Sequence, residues 1–180
     1  MTRILAVSGS LRANSANSEL LRAAAALATP DLRVTLYEGL GALPHFNPDI
    51  EAVALPPHVA EWRAQVDAAD AILISSPEYA HGVPGALKNA LDWLVGGVEC
   101  YGKPVALLNA SLFATHAHAS LTETLSTMAA KVVVAASVTL PVAGKGLDVA
   151  GIVADPHLAE ALRGALAALE AAIAEARSHR

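Results

Sequence analysis

Short, almost wholly apolar runs alternate along this chain with segments of helical period, and that alternation constrains the fold more than any other feature. The runs are "RILAVS" (Arg3–Ser8), "RVTLYE" (Arg33–Glu38), "AILISS" (Ala71–Ser76), "PVALLNA" (Pro104–Ala110) and "KVVVAASV" (Lys131–Val138). A strand that is apolar on both faces must be covered on both faces, which is the signature of a parallel sheet. Between the runs, residues 15–28, 59–69, 84–95 and 121–130 carry the three- and four-residue spacing of amphipathic helices, and residues 156–177 close the chain with a leucine stripe from Leu158 to Ile173. The resulting β-α-β-α-β-α-β-α-β-α order predicts one α/β domain over residues 1–180, with helices on both sides of the sheet. An apolar content of 54% against 16% charged residues gives enough core for it. The stretch from Gly39 to His58 reads as a long irregular connection, a kind that is more often functional than idle.

In an open α/β sheet, ligands collect beyond the carboxyl ends of the strands. Three loops leaving those ends have unusual content. The first, "SGSLRANSANSEL" (Ser8–Leu20), offers the hydroxyls of Ser10, Ser15 and Ser18, the amide of Asn17, the guanidinium of Arg12 and a helix N-terminus, with no carboxylate before Glu19. That inventory suits a phosphate monoester; the same residues would also serve as an ordinary serine-rich helix cap. The Gly-Lys-Ser/Thr of a nucleotide P-loop is missing, and Gly9 alone does not make a dinucleotide fingerprint. The second loop, "SSPEYAHGVPGALKNALDWL" (Ser75–Leu94), could present backbone groups to the edge of a planar heterocycle, or complete the core with its Tyr and Trp. The third, "NASLFATHAHAS" (Asn109–Ser120), holds His116 and His118, but no Cys pair or HExxH helix accompanies them, so no metal site is expected.

A net charge of −5 without a Lys/Arg run argues against a nucleic-acid partner. The lone Cys100 rules out an internal disulfide and points to a reducing cytoplasm, and the N-terminal apolar run is too short for a signal peptide or membrane span. No nucleophile–base constellation is visible. A cofactor cradle without a catalytic triad suggests that a cofactor carries the chemistry.

The pair "GSLRANSAN" and "PEYAHGVPGALKNALDW" resembles the NADPH-dependent FMN reductase family, as does "LPHFNPDIE" (Leu43–Glu51). The resemblance implies a flavodoxin-like three-layer sandwich with a five-stranded parallel sheet in the order 2-1-3-4-5, holding FMN in a single domain. It also implies a cytoplasmic NAD(P)H oxidoreductase that reduces a quinone, azo compound, metal oxyanion or free flavin, with NADPH or NADH as co-substrate. By position it places the FMN phosphate on Ser10, Arg12, Ser15 and Asn17, and the flavin against Pro77, Glu78, Tyr79 and Ala80, with Ser111 approaching from the third loop. No residue is assigned as catalytic. Two departures from the family pattern stand out: Ala80 replaces the usual Asn, and the third loop lacks the usual glycines, so that Phe113, Thr115 and His116 would crowd the flavin. A non-enzymatic flavin-binding electron carrier or redox-sensing module would use the same cradle.

Family likeness further implies a homodimer or homotetramer. In "ALKNALDWLVGGVECYG", Leu87, Leu91, Leu94 and Val95 form a core stripe, which leaves Trp93 off that stripe, either lying flat against a neighbouring helix or, as the family likeness implies, buried between chains as an interface anchor.

Overall fold

The computed structural model describes residues 1–178. Its sheet is built from β1 (Thr2–Ser8), β2 (Leu32–Leu36), β3 (Ala71–Ser75), β4 (Pro104–Asn109), β5 (Lys131–Val132) and β6 (Val138–Thr139). The strand order is β2-β1-β3-β4-β5, every pairing is parallel, and β6 continues the last position by pairing with β4. This is the expected order, with helices on both faces.

Alternate residues of each strand feed two cores. Ile4, Ala6, Ala71, Leu73, Ala106 and Leu108 face α1 (Ala16–Leu27), α6 (Val149–Ala154) and α7 (Pro156–Ser178). Leu5, Val7, Ile72, Ile74, Val105 and Leu107 face α3 (Pro57–Ala68), α4 (Gly85–Asp92) and α5 (Thr115–Thr127). The period-2 alternation of the strand does this sorting, and both sets are apolar because both faces are buried.

Several segments depart from the sequence reading, the unforeseen helix α6 (Val149–Ala154) among them. The connection from Gly39 to His58 is not irregular: it holds a 3-10 turn (Leu40–Ala42) and α2 (Pro48–Val53). Asn47 caps α2 by accepting from the Asp49 N–H at 2.9 Å, and Pro48 stands at the first helical position. That Asn-Pro pair was a readable start signal. The fifth strand is broken in two by a 3-10 turn at Val134–Ala136, and Val134 is exposed. Ser137 explains the break. Its Oγ accepts from the Leu107 N–H at 3.0 Å and donates to the Val133 carbonyl at 2.9 Å, so a side chain stands in for the edge strand's backbone. Finally, α5 begins six residues before the expected Leu121, within the polar "THAHAS", because a carboxylate from another loop caps it.

Trp93 is corrected outright. It is wholly buried, it donates from Nε1 to the Pro44 carbonyl at 2.8 Å, and its ring meets Phe46 edge-on with centroids 5.1 Å apart. Because α4 stops at Asp92, the chain turns before Val95, and Val95 becomes the exposed residue that Trp93 was expected to be.

Candidate functional site

Ser8 of β1 lies in register with Ser75 of β3, and Ser75 with Leu108 of β4. The three central strands therefore end level, and the loops that follow them meet above one edge of the sheet. Gly9 lets the first two loops touch: its N–H donates to the Ser75 carbonyl at 2.8 Å, and a Cβ there would stand 2.6 Å from Ser76 Oγ and 3.1 Å from Leu87 Cδ2. A glycine is required by this close approach.

A cleft of about 740 Å³ opens between the first loop and the segment Val142–Asp148. Ser10, Arg12, Ser15, Asn17, Pro77 and Tyr79 line it. Such a volume is ordinary for a small-molecule or cofactor site. Ser15 is the N-cap residue of α1, yet its side chain makes no capping bond, so its hydroxyl is left for a ligand beside the free N–H groups of the helix. Asn17 accepts from Ser75 Oγ at 2.9 Å through its amide oxygen, which leaves the NH2 donor for the cleft. Ser10 Oγ accepts from the Arg12 N–H at 3.3 Å, shaping the turn. Ser18, by contrast, is engaged with Ser8, Oγ to Oγ at 2.9 Å, and supports the loop from beneath.

The cleft is also lined by two carboxylates, Glu19 and Asp148, and both are already partnered. Glu19 pairs with Arg22 at 2.6 Å and accepts from the Val149 N–H at 3.2 Å. Asp148 accepts from the Gly151 N–H at 2.8 Å and so caps α6. Arg12 has no carboxylate partner among the described residues, so an anion would meet an uncommitted guanidinium. The wall from Val142 to Asp148 escaped the sequence reading. Asp148 with Gly151 three residues on is a capping signal, and the paired glycines of "GKG" mark a built turn.

A second, smaller cleft of about 250 Å³ shares Asn17, Pro77 and Ala143 with the first and adds Glu78, Ser111 and Phe113. Eight of the nine expected cofactor residues thus line two contiguous clefts. Ala80 lines neither: it sits in the tight turn Tyr79–Gly82, closed by Tyr79 N–H to Gly82 O at 3.1 Å and Gly82 N–H to Tyr79 O at 2.9 Å. Both central residues are left-handed, Ala80 at φ 48° and His81 at φ 60°. This is a type I′ turn, which favours Asn or Gly and strains alanine. Ala80→Asn is expected to raise stability by about 0.5–1 kcal/mol through relief of that strain. A urea midpoint that stays put or falls would show the turn unstrained.

Glu78 commits its carboxylate to the third loop. Its Oε2 accepts from the Ala117 N–H at 2.8 Å, in the first turn of α5, and its Oε1 lies 3.7 Å from His81 Nδ1. The carboxylate thereby ties the second loop to the third and caps α5 from outside. Glu78→Ala is expected to cost about 0.5–2 kcal/mol, the usual range for a lost N-cap, read from denaturant unfolding. Across the same junction the rings of His81 and His116 meet edge-on with centroids 4.2 Å apart. His118 turns inward, and burial holds its pKa below the usual histidine range. Phe113, which lines the smaller cleft, and Tyr79, which lines the larger one, are largely exposed, as are Leu112 and Leu11. Among the described residues no group of three or more His, Cys, Asp or Glu side chains could hold a metal ion. Cys100 is buried, and burial pushes its thiol up to about 11, so no thiolate is on hand at neutral pH.

Residues 2–145 match the family model for NADPH-dependent FMN reductase. The chain belongs to that family. Among characterised members, it is 41% identical over 111 residues to the NAD(P)H-dependent FMN reductase PA1204 of Pseudomonas aeruginosa, an alignment that takes in 61% of this chain and 60% of that protein. It is 41% identical over 113 residues to a quinone reductase of Pseudomonas putida, covering 60% and 59% of the two chains. The chain thus spans about three fifths of the length of these curated relatives. Among solved structures, the flavoenzyme NAD(P)H:(acceptor) oxidoreductase FerB of Paracoccus denitrificans superposes with a TM-score of 0.83 at 28% identity, over 99% of both chains. The donor set fits the FMN reductase family's cofactor: neutral hydroxyls, an amide NH2, helix N–H groups and one unpaired guanidinium are what a flavin phosphate needs.

Proposed function

We propose that this chain is an FMN-dependent NAD(P)H oxidoreductase acting on a small-molecule acceptor such as a quinone, azo compound, metal oxyanion or free flavin. The observation that carries the reading is the cradle at the head of α1. Its donors are uncommitted, and its carboxylates are spent on backbone N–H groups. When bound, FMN supplies the two-electron redox chemistry. Ser10, Ser15 and Asn17 would hold its phosphate by neutral donors, and Arg12 by charge. Pro77 and Tyr79 would bound the ring system, and Ser111 would close it from the third loop. Glu78 positions that loop through Ala117. The carboxylates of Glu19, Glu78 and Asp148 in the clefts are all hydrogen-bonded, and no side chain is assigned a proton-transfer role.

The test is optical. Protein loaded with FMN should show a bound-flavin visible spectrum and bleach anaerobically on adding NADPH or NADH. Bleaching by dithionite but by neither nicotinamide would favour an electron carrier. Failure to take up FMN at all would overturn the reading.

We also propose a homodimer or homotetramer, supported by the exposed apolar side chains Leu11, Tyr79, Leu112 and Phe113 on the first, second and third loops. Light scattering should then report a multiple of 18.4 kDa. A cytoplasmic location is proposed on the single buried cysteine. Among the described residues no helix is long and apolar enough to cross a membrane.

A further inference from the structure

The wall of the larger cleft facing the serine-rich turn is an arch, Val142–Asp148, whose apex is Lys145. Its base is fastened to the end of β4: the Val142 and Ala143 N–H groups both donate to the Ala110 carbonyl, at 3.1 and 3.0 Å. Its far end is fastened to α1, where Glu19 Oε2 accepts from the Val149 N–H at 3.2 Å. Between these anchors, Lys145 N–H donates to the Val142 carbonyl at 3.2 Å and Gly144 has φ 79°, the geometry of a type II turn. Gly146 follows at φ 65°. The arch stands clear of the body, because a Cβ at Gly144 or Gly146 would meet nothing within 4 Å. Neither glycine is demanded by packing; the left-handed backbone alone requires them.

Gly144 and Gly146 line the cleft, and Lys145 stands between them at the tip of the arch without lining it. It is exposed and forms no ion pair among the described residues. A lysine at a loop tip is ordinarily just solvated. Here the loop is held at both ends beside a turn built for an anion, and the carboxylates lining the cleft are bonded to backbone N–H groups. Arg12 on one wall and Lys145 on the other are thus cations without an ion-pair partner among the described residues, while Asp148 keeps its carboxylate charge on the arch. A phosphate monoester carries a charge of about −1.5 to −2 at neutral pH, more than one guanidinium balances. A lysine on a four-carbon stem suits it as a mobile point charge.

We infer that Lys145 is a second cationic contact to a phosphate monoester bound in this cleft, a specificity residue that rests on the cradle reading above. Two ligands of the proposed reaction present that chemistry: the 5′-phosphate of FMN and the 2′-phosphate of NADPH.

The experiment uses the full chain and the variants Lys145→Ala and Lys145→Arg. FMN and riboflavin are titrated by quenching of flavin fluorescence, and KM is measured for NADPH and NADH. For the flavin phosphate, Lys145→Ala weakens FMN binding roughly tenfold, leaves riboflavin within about twofold, and Lys145→Arg restores FMN affinity. For the nicotinamide phosphate, FMN affinity holds while KM for NADPH alone rises roughly tenfold. Either result supports the inference. If Lys145→Ala moves neither FMN affinity nor the NADPH-to-NADH ratio while the parent still prefers FMN to riboflavin, the inference is overturned and the cradle stands. A parent that binds FMN no better than riboflavin overturns the cradle itself, and the role of Lys145 with it.

Discussion

Replacing Trp93 with alanine is expected to destabilise the protein by about 3–5 kcal/mol, the range for removing a large aromatic from a packed interior. The side chain has no solvent exposure. Its loss leaves a cavity beside Leu94 and Phe46 and removes an edge-on aromatic contact. It also removes one of two donors to the Pro44 carbonyl, the other being Asn89 Nδ2 at 2.9 Å. Asn89 Oδ1 meanwhile accepts from the Phe46 N–H at 2.8 Å. Trp93 and Asn89 together pin the "LPHF" segment to α4, so the variant should loosen that segment as well as the core. Trp93→Phe, which keeps a ring and leaves Pro44 its Asn89 donor, should cost markedly less, about 1 kcal/mol for the lost hydrogen bond. Urea unfolding checks both. A loss below 1 kcal/mol together with a changed oligomeric mass would return Trp93 to a subunit interface.

Arg12→Ala should weaken FMN binding by about 1.5–3 kcal/mol, the worth of a charge-assisted hydrogen bond, or roughly 10- to 150-fold in Kd. The reason lies in what surrounds it. The hydroxyls and the amide of the cradle are neutral, and the carboxylates lining the cleft have partners, so Arg12 contributes the charge on that wall. Lacking phosphate, riboflavin should bind the parent far more weakly than FMN and respond little to the substitution. The FMN affinity of the parent should also fall as salt rises, since an exposed guanidinium is screened. Equal affinity for FMN and riboflavin would remove the phosphate assignment.

The parallel sheet and its order of elements were legible from local pattern, because each depends on a short-range rule. Apolar runs without alternation demand cover on both faces, whereas serines with an arginine at a helix start are compatible with an anion site or with a plain helix cap. Family likeness added the strand order and FMN as the expected ligand. The split of the last strand was not legible. "KVVVAASV" has the composition of a strand, but whether Ser137 points solventward or back into the ladder of β4 is decided by its neighbour. The start of α5 was hidden for the same reason: its polar first turn has no apolar period, and its cap, Glu78, is 39 residues away.

Trp93 marks the boundary between the two kinds of information. Helical spacing assigned it to the outer face, and on an unbroken helix the assignment would hold. The helix stops at Asp92, and the segment around Pro44, 49 residues earlier, supplies both an acceptor and an aromatic edge. Ala80 is the complementary case: nothing in its own chemistry favours a left-handed backbone, and the hairpin-like closure of Tyr79 on Gly82 imposes it. By itself the sequence determined that most of the apolar strand runs must be covered on both faces and which loop carries the donors an anion would need, because hydrophobicity and charge are properties of residue types. Only the tertiary structure decided which groups were already spoken for. Glu19, Asp148 and Glu78 are bonded, whereas Arg12 has no carboxylate partner and Lys145 no ion pair among the described residues, and a partner distant in sequence leaves no local trace.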